Sequence, residues 1–352
     1  MYFYVIINKL NFYGDIMKLN KIFTSHMVFA ANKPIRIFGE GRGLVTINFS
    51  GITKKYFSDN DEWIVEFPAL SYGGPYSMSV EFEGETVNLE DIYIGEVYLF
   101  AGQSNMQFKM NDSNSASELY QTNSRLRLYS PDKIEKSEYY KADDGWVLCE
   151  KDMVGEWSAI AYLTSKIISE KKDIAIGVIV CYQGASVIES WVPEGTFEQI
   201  GIKLAIEDKY FDHTYEEFSA WNGDGTLYNV MLSQIIPYSL SSVIWYQGES
   251  DTSEAEGRVY CDELAELIRC WRNAFYDIAL PFVVVQIADY IPRKQEGWVL
   301  VQQAQIDVQS RISGVRTVIS RDICETDDIH PKSKSKLSER IADVLLDFQN
   351  AI

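Results

Sequence analysis

The amino-acid sequence predicts an α/β protein in which a sheet of parallel strands and crossover helices follows a small all-β region. Two observations carry that expectation. From Ile92 onward apolar strands alternate with helical patterns, and residues from about 20 to 91 hold short β-rich runs with no long helical pattern. The early runs are Pro34–Phe38, Gly43–Phe49, Glu62–Phe67 and Tyr76–Phe82, divided by turn residues as in a β-sandwich. Later strands are expected at 93–100, 174–181, 242–246, 281–287 and 316–320. Helices are expected between and after them, at about 156–170, 226–236, 257–276, 297–312 and 333–349. The chain therefore divides at 1–91 and 92–352, with 1–17 disordered or upstream of a native start at Met17.

Composition narrows the function classes. The 352 residues exceed what one core usually serves, and 46% of them are hydrophobic, so a folded two-domain protein is expected. A net charge of −19 repels phosphate backbones and anionic lipid heads, which argues against nucleic-acid and membrane partners. The five cysteines, at 149, 181, 261, 270 and 324, form no C-x-x-C pair and mostly sit in apolar surroundings, as buried thiols do. Three histidines and no H-E-x-x-H leave little from which to build a zinc site. Met1 to Leu19 is broken by Asn8, Lys9, Asn11, Gly14 and Asp15 and lacks a small-residue cleavage site, so a cytoplasmic location is expected, with secretion as the alternative. Oligomeric state is not legible.

In a sheet of this kind ligands sit beyond the carboxyl ends of the strands, so the residues after each strand matter most. The first such strand runs into Ala101-Gly102-Gln103-Ser104-Asn105-Met106, which displays a serine beside a permissive glycine. The spacing is not G-x-S-x-G, since Met106 stands two positions after Ser104, so the nucleophile elbow of α/β-hydrolases does not fit. A serine needs a base. His26 lies among apolar residues and reads as structural; His213 sits in an acidic, aromatic stretch and reads as solvent-exposed. His330, in Thr326-Asp327-Asp328-Ile329-His330-Pro331, follows the last strand and precedes the last helix. Asp327, three residues earlier, is spaced to reach its ring. The segment Trp245-Tyr246-Gln247-Gly248-Glu249 adds Gln247 as an oxyanion donor and Glu249 as a second carboxylate that could orient a histidine, and Gly184 after Cys181-Tyr182-Gln183 offers a backbone donor.

Together these blocks resemble the SGNH or GDSL hydrolase superfamily, and within it the branch of sialate O-acetylesterases and related acetylxylan esterases. Gly102–Met106, Trp245–Glu249 and Asp328–Pro331 carry the resemblance, and Ile22–Val28 with Tyr72–Tyr76 is similar to the β-domain that precedes the catalytic one in that branch. The resemblance implies a flavodoxin-like three-layer α/β/α catalytic domain. It implies Ser104 as nucleophile, His330 as base, and Gly184 with the Ser104 N–H in the oxyanion hole. Gln247 stands where the superfamily has asparagine, and the acid is either Glu249, which is preferred, or Asp327. The expected reaction is two-step hydrolysis of a sugar O-acetyl ester, with no cofactor, metal or partner beyond the acetylated sugar or oligosaccharide. Gln103, Asn105, Trp191 and Tyr246 are candidate substrate contacts, and Arg293 or Lys109 a candidate partner for a sialate carboxylate. Two alternatives stay open: an acetylxylan or other short-chain carboxylesterase, and a non-catalytic carbohydrate-binding protein.

Overall fold

A computed structural model describes residues 17–82, 84–133, 145–210, 218–293 and 295–350. His213 and nearly all of the segment 1–17 fall outside them. The first elements are all strands: β1 (Lys18–Leu19), β2 (Val28–Ala30), β3 (Ile35–Glu40), β4 (Gly43–Phe49), β5 (Ile52–Ser58), β6 (Glu62–Phe67), β7 (Gly73–Phe82) and β8 (Glu85–Gly102). In β6, Trp63, Val65 and Phe67 are buried while Glu62, Ile64 and Glu66 face outward, the period of two that a one-sided sheet requires. β1, β3 and β6 form one antiparallel sheet; β5, β4 and β7 lead antiparallel into β8. The sequence reading omitted β5, because Ile52-Thr53-Lys54-Lys55-Tyr56 is an outward-facing polar edge without apolar alternation.

β8 is the element that positions everything else. It crosses the expected boundary at 91/92 as one strand of 18 residues and emerges as the middle of a second set of strands. After it come α1 (Ser104–Gln107), β9 (Asn123–Tyr129), β10 (Val147–Cys149), α2 (Ala159–Lys172), β11 (Ile176–Tyr182), α3 (Thr196–Gln199) and α4 (Thr226–Val230). The chain closes with β12 (Ser242–Tyr246), α5 (Glu254–Ala274), β13 (Phe282–Val285), α6 (Glu296–Arg311), β14 (Val315–Val318) and α7 (Ser335–Asn350). The order across the sheet is β10-β9-β11-β8-β12-β13-β14. All of these pairs are parallel except β10 with β9. Every residue of β11 and β12 is buried, as strands covered on both faces must be.

The coverage can be read from β12 itself. Consecutive strand residues point to opposite faces. Trp245 meets Trp271 of α5, whereas the Tyr246 ring lies under Lys334, just before α7. Thus α5, packed with α6, and α7, packed with α2, lie on opposite sides of the sheet. α5 begins at Ser253, whose hydroxyl accepts from the Glu256 N–H while the Glu256 carboxylate accepts from the Ser253 N–H, a reciprocal cap.

Two expectations need correction. The helix expected at 226–236 is a five-residue α4 followed after Met231 by a 3-10 turn, which ends at Ile236 because Pro237 disfavours the helical region for the residue before it. β9 and β10 were not expected; Asn123-Ser124-Arg125 masks the apolar half of β9, and β10 has three residues.

Gly102 closes β8 at φ +138, and a Cβ there would lie 2.0 Å from the Tyr246 carbonyl oxygen. Gly102→Ala should therefore cost at least about 2–3 kcal/mol, read as a lowered urea midpoint. A variant as stable as the parent would show that β8 and β12 can separate here without penalty.

Candidate active site

Four strand ends converge. Ser104 follows β8, Gln183 and Gly184 follow β11, Gln247 to Glu249 follow β12, and His330 lies in the loop after β14. Ser104 Oγ and His330 Nε2 are 2.8 Å apart. Ser104 opens α1, in which the Met106 and Gln107 N–H groups both donate to the Gln103 carbonyl. The His330 loop is tied down locally, since the His330 N–H donates to Asp328 Oδ1 at 2.9 Å, and Phe108 stacks on the ring at 6.2 Å between centroids.

Asn105 binds these segments together. Its Nδ2 donates to Glu249 Oε1 at 2.6 Å and to the Ile329 carbonyl at 2.9 Å, and its Oδ1 accepts from Lys334 Nζ at 2.8 Å. All three side chains are buried. Burial pushes the Lys334 ammonium down to about 8, and burial raises the Glu249 carboxyl despite the Asn105 hydrogen bond and the nearby Lys334 and Arg293. His330 is held below its usual 6.5, first by burial and then by Lys334, with Asp328 opposing.

Among the described residues no hydrogen bond joins Glu249 or Asp327 to His330. Glu249 Oε2 has no partner, and Oε1 belongs to Asn105. Gln247 is turned away from the serine: its Nε2 donates to the Ser186 carbonyl and to Asp251, and its Oε1 accepts from Tyr260. That corrects the expectation of Gln247 as an oxyanion donor. Trp191 and Tyr246 are likewise not available to a sugar. Trp191 is fully buried edge-on against Trp245 and donates to Ser186 Oγ, and Tyr246 is enclosed beneath Lys334. Asn105 is a buried brace and not a substrate contact, while Gln103 accepts from the Gly248 N–H at 3.1 Å. Lys109 pairs with Glu156 and does not line the cavity.

Beside Ser104 and His330 lies a cavity of about 380 Å³ whose wall includes Gln107, Gly184, Phe218, Trp221, Glu249 and Arg293. A larger hollow of about 830 Å³, lined by Trp63, Tyr56 and Gln234, lies away from the serine. Trp221 donates to the Gly184 carbonyl at 3.1 Å and meets the Phe218 ring edge-on. The Arg293 guanidinium donates to the Glu249 carbonyl and Thr252 Oγ1, both at 2.9 Å, and its carbon sits 3.6 Å from the Tyr210 ring centre. Phe218 and Trp221 went unnoticed in the sequence because they belong to a loop with no strand-end signature.

A serine and a histidine thus meet at the carboxyl edge of a parallel sheet within one cavity, an arrangement chemically able to activate a hydroxyl nucleophile. The chain belongs to the carbohydrate esterase family described as sialic acid-specific acetylesterase, whose model matches residues 94–347. Curated relatives include the sialate O-acetylesterases of Pongo abelii and Homo sapiens, each 24% identical over an alignment of 316 positions that covers 80% of this chain. The chain spans about 59% of the length of those two relatives. A carbohydrate acetylesterase from Xanthomonas citri has a similar fold, with a TM-score of 0.83, 23% identity, and coverage of 96% of this chain and 76% of that one.

Asn105→Ala strands a buried ammonium and a buried carboxylate together. It should destabilise the protein by about 3–5 kcal/mol in urea unfolding, since it removes hydrogen bonds to two buried charged groups, each worth about 1.5–3 kcal/mol. A loss under about 1 kcal/mol would mean that the two charged groups do not depend on the amide.

Proposed function

We propose that the chain is a serine esterase that removes O-acetyl groups from carbohydrates, acidic sugars of the sialate type foremost, through an acetyl-enzyme on Ser104. The contact that carries this reading is Ser104 Oγ against His330 Nε2. In the reaction His330 takes the Ser104 proton as Oγ bonds to the acetyl carbon, and the carbonyl oxygen becomes an oxyanion facing the N–H groups of Ser104 and Gly184. Collapse of the tetrahedral intermediate breaks the bond to the sugar oxygen, which leaves with the proton from His330. Water, deprotonated by His330, then attacks the acetyl-enzyme and releases acetate and Ser104.

His330 in this scheme works without a carboxylate bonded to Nδ1. Asp328 supports the imidazolium through its field, and Glu249 acts through Asn105 to hold the nucleophile and histidine loops in register. Asp327 has no assigned role. The same reading makes the strands around β8, with α2, α5, α6 and α7, an SGNH-type α/β/α catalytic unit following an all-β domain.

The preference for an acidic sugar rests on Arg293. Among the described residues it is the one lysine or arginine that lines the cavity, in a protein of net charge −19, and its guanidinium stays charged and attracts a carboxylate. Acetate release from O-acetylated sialic acid and from acetylated xylo-oligosaccharides, measured for the parent, Ser104→Ala and Arg293→Met, tests both halves. Ser104→Ala should lower kcat at least about a thousandfold. Arg293→Met, which also removes its hydrogen bonds to the Glu249 carbonyl and Thr252, should raise KM about tenfold or more on the sialate and change the KM for the xylo-oligosaccharide far less. Serine-independent release, or none from either sugar by folded parent protein, would overturn the esterase reading.

The pH dependence follows from the same site. The reaction needs neutral His330, and burial together with Lys334 disfavours its protonated form, so kcat/KM should rise with pH through a midpoint below 6.5. A midpoint at or above 6.5 would show that a carboxylate partner dominates the ring.

A further inference from the structure

Gly184 is already hydrogen bonded. Its N–H donates to Gln107 Oε1 at 3.0 Å, and Gln107 lines the same cavity as Ser104. Gln107 closes α1, three residues after the serine, so the two side chains share one face of that turn. Around Gly184, a Cβ built on the glycine would meet Gln107 Oε1 at 3.5 Å and Ser104 Cβ at 3.8 Å, and nothing closer. The Gln107 carbonyl and the nucleophile are therefore neighbours on the same side of the donor.

We infer that the Gln107 side-chain carbonyl is an internal stand-in for the acyl oxygen of the substrate: it holds the Gly184 donor in place and is displaced when an ester binds. The inference rests on the proposed esterase reading and adds a residue to it. An amide oxygen accepts this bond in the geometry that a substrate carbonyl needs, so the donor stays paired and aimed. An ester must exchange one neutral hydrogen bond for another to enter, which weakens ground-state binding. The same exchange precedes both the bound substrate and the transition state, so it raises KM and leaves kcat little changed, while the oxyanion, a stronger acceptor than either carbonyl, still gains most from the donor. Gln107 is thus a positioning residue that also competes with substrate.

The test is steady-state hydrolysis of 4-nitrophenyl acetate by the parent, Gln107→Ala and Gln107→Glu. Removing the competitor in Gln107→Ala should lower KM about two- to tenfold, the worth of one neutral hydrogen bond, with kcat changed less than KM. In Gln107→Glu a carboxylate takes the Gly184 N–H by a charge-assisted bond and repels the oxyanion, so above the carboxylate's own titration KM should be higher and kcat lower than the parent's at the same pH, the difference from the parent closing toward acid pH. A Gln107→Ala protein with unchanged KM and reduced kcat would overturn the inference, because Gln107 would then be a donor or brace and not a competitor. So would a Gln107→Glu protein indistinguishable from the parent at neutral pH. Failure of the parent to hydrolyse the ester in a Ser104-dependent way would overturn the esterase reading itself and this inference with it, so the two failures are told apart by the parent alone.

Discussion

Asn105 has two donors and one acceptor to offer, and its three neighbours leave one way to use them. Lys334 can only donate, and the Glu249 carboxylate and the Ile329 carbonyl only accept, so the orientation of the amide follows from its partners. Because Asn105 is adjacent to Ser104 and Ile329 is adjacent to His330, a single planar group sets the distance between nucleophile and base. A third strand-end loop, after β12, is attached to the same group through Glu249. Rotating the amide would bring Nδ2 against the ammonium and Oδ1 against the carboxylate, and the serine and histidine loops would lose their common anchor.

The backbone beneath that anchor is unusually constrained. β8 begins in the all-β region and ends at Gly102, so the strand that carries the serine is held along its whole length by β2 and β7 on one side of residue 96 and by β11 and β12 beyond it. Further fastening comes from aromatic packing. Tyr238, which precedes β12, donates to the Val28 carbonyl and stacks near Phe23, Phe29 and Trp146. The early strands are thus a support for the catalytic sheet, whatever else they bind.

Chemistry-bearing residues were legible in the sequence where they stand at strand ends, since the position itself tells where a side chain will be displayed. Ser104, Gly184 and His330 were found that way, and they lie together. The same logic failed for Gln247, Trp191 and Tyr246. Tyr246 is the last strand residue and points to the opposite face from Trp245; Gln247 satisfies its amide inside the protein; Trp191 lies in a turn that folds back under α5. No periodicity distinguishes a polar group that faces a cavity from one that finds an internal partner. Asn105 and Glu249 were each singled out for touching substrate or histidine, and their mutual bond spans 144 residues of sequence, beyond any local pattern.

By itself the sequence determined the alternation of β8, β11, β12, β13 and β14 with α2, α5, α6 and α7 and the identity of the serine and histidine blocks. Those features depend on hydrophobic period and on short motifs, both local in the chain. Only the tertiary structure decided that Glu249 meets Asn105 and not His330, that Lys334 is buried beside the histidine, that Arg293, Phe218 and Trp221 wall the cavity, and that Gln107 engages Gly184. Each of these is a contact between segments that approach only when the sheet has formed, and its energy depends on burial and distance, which a linear sequence does not contain.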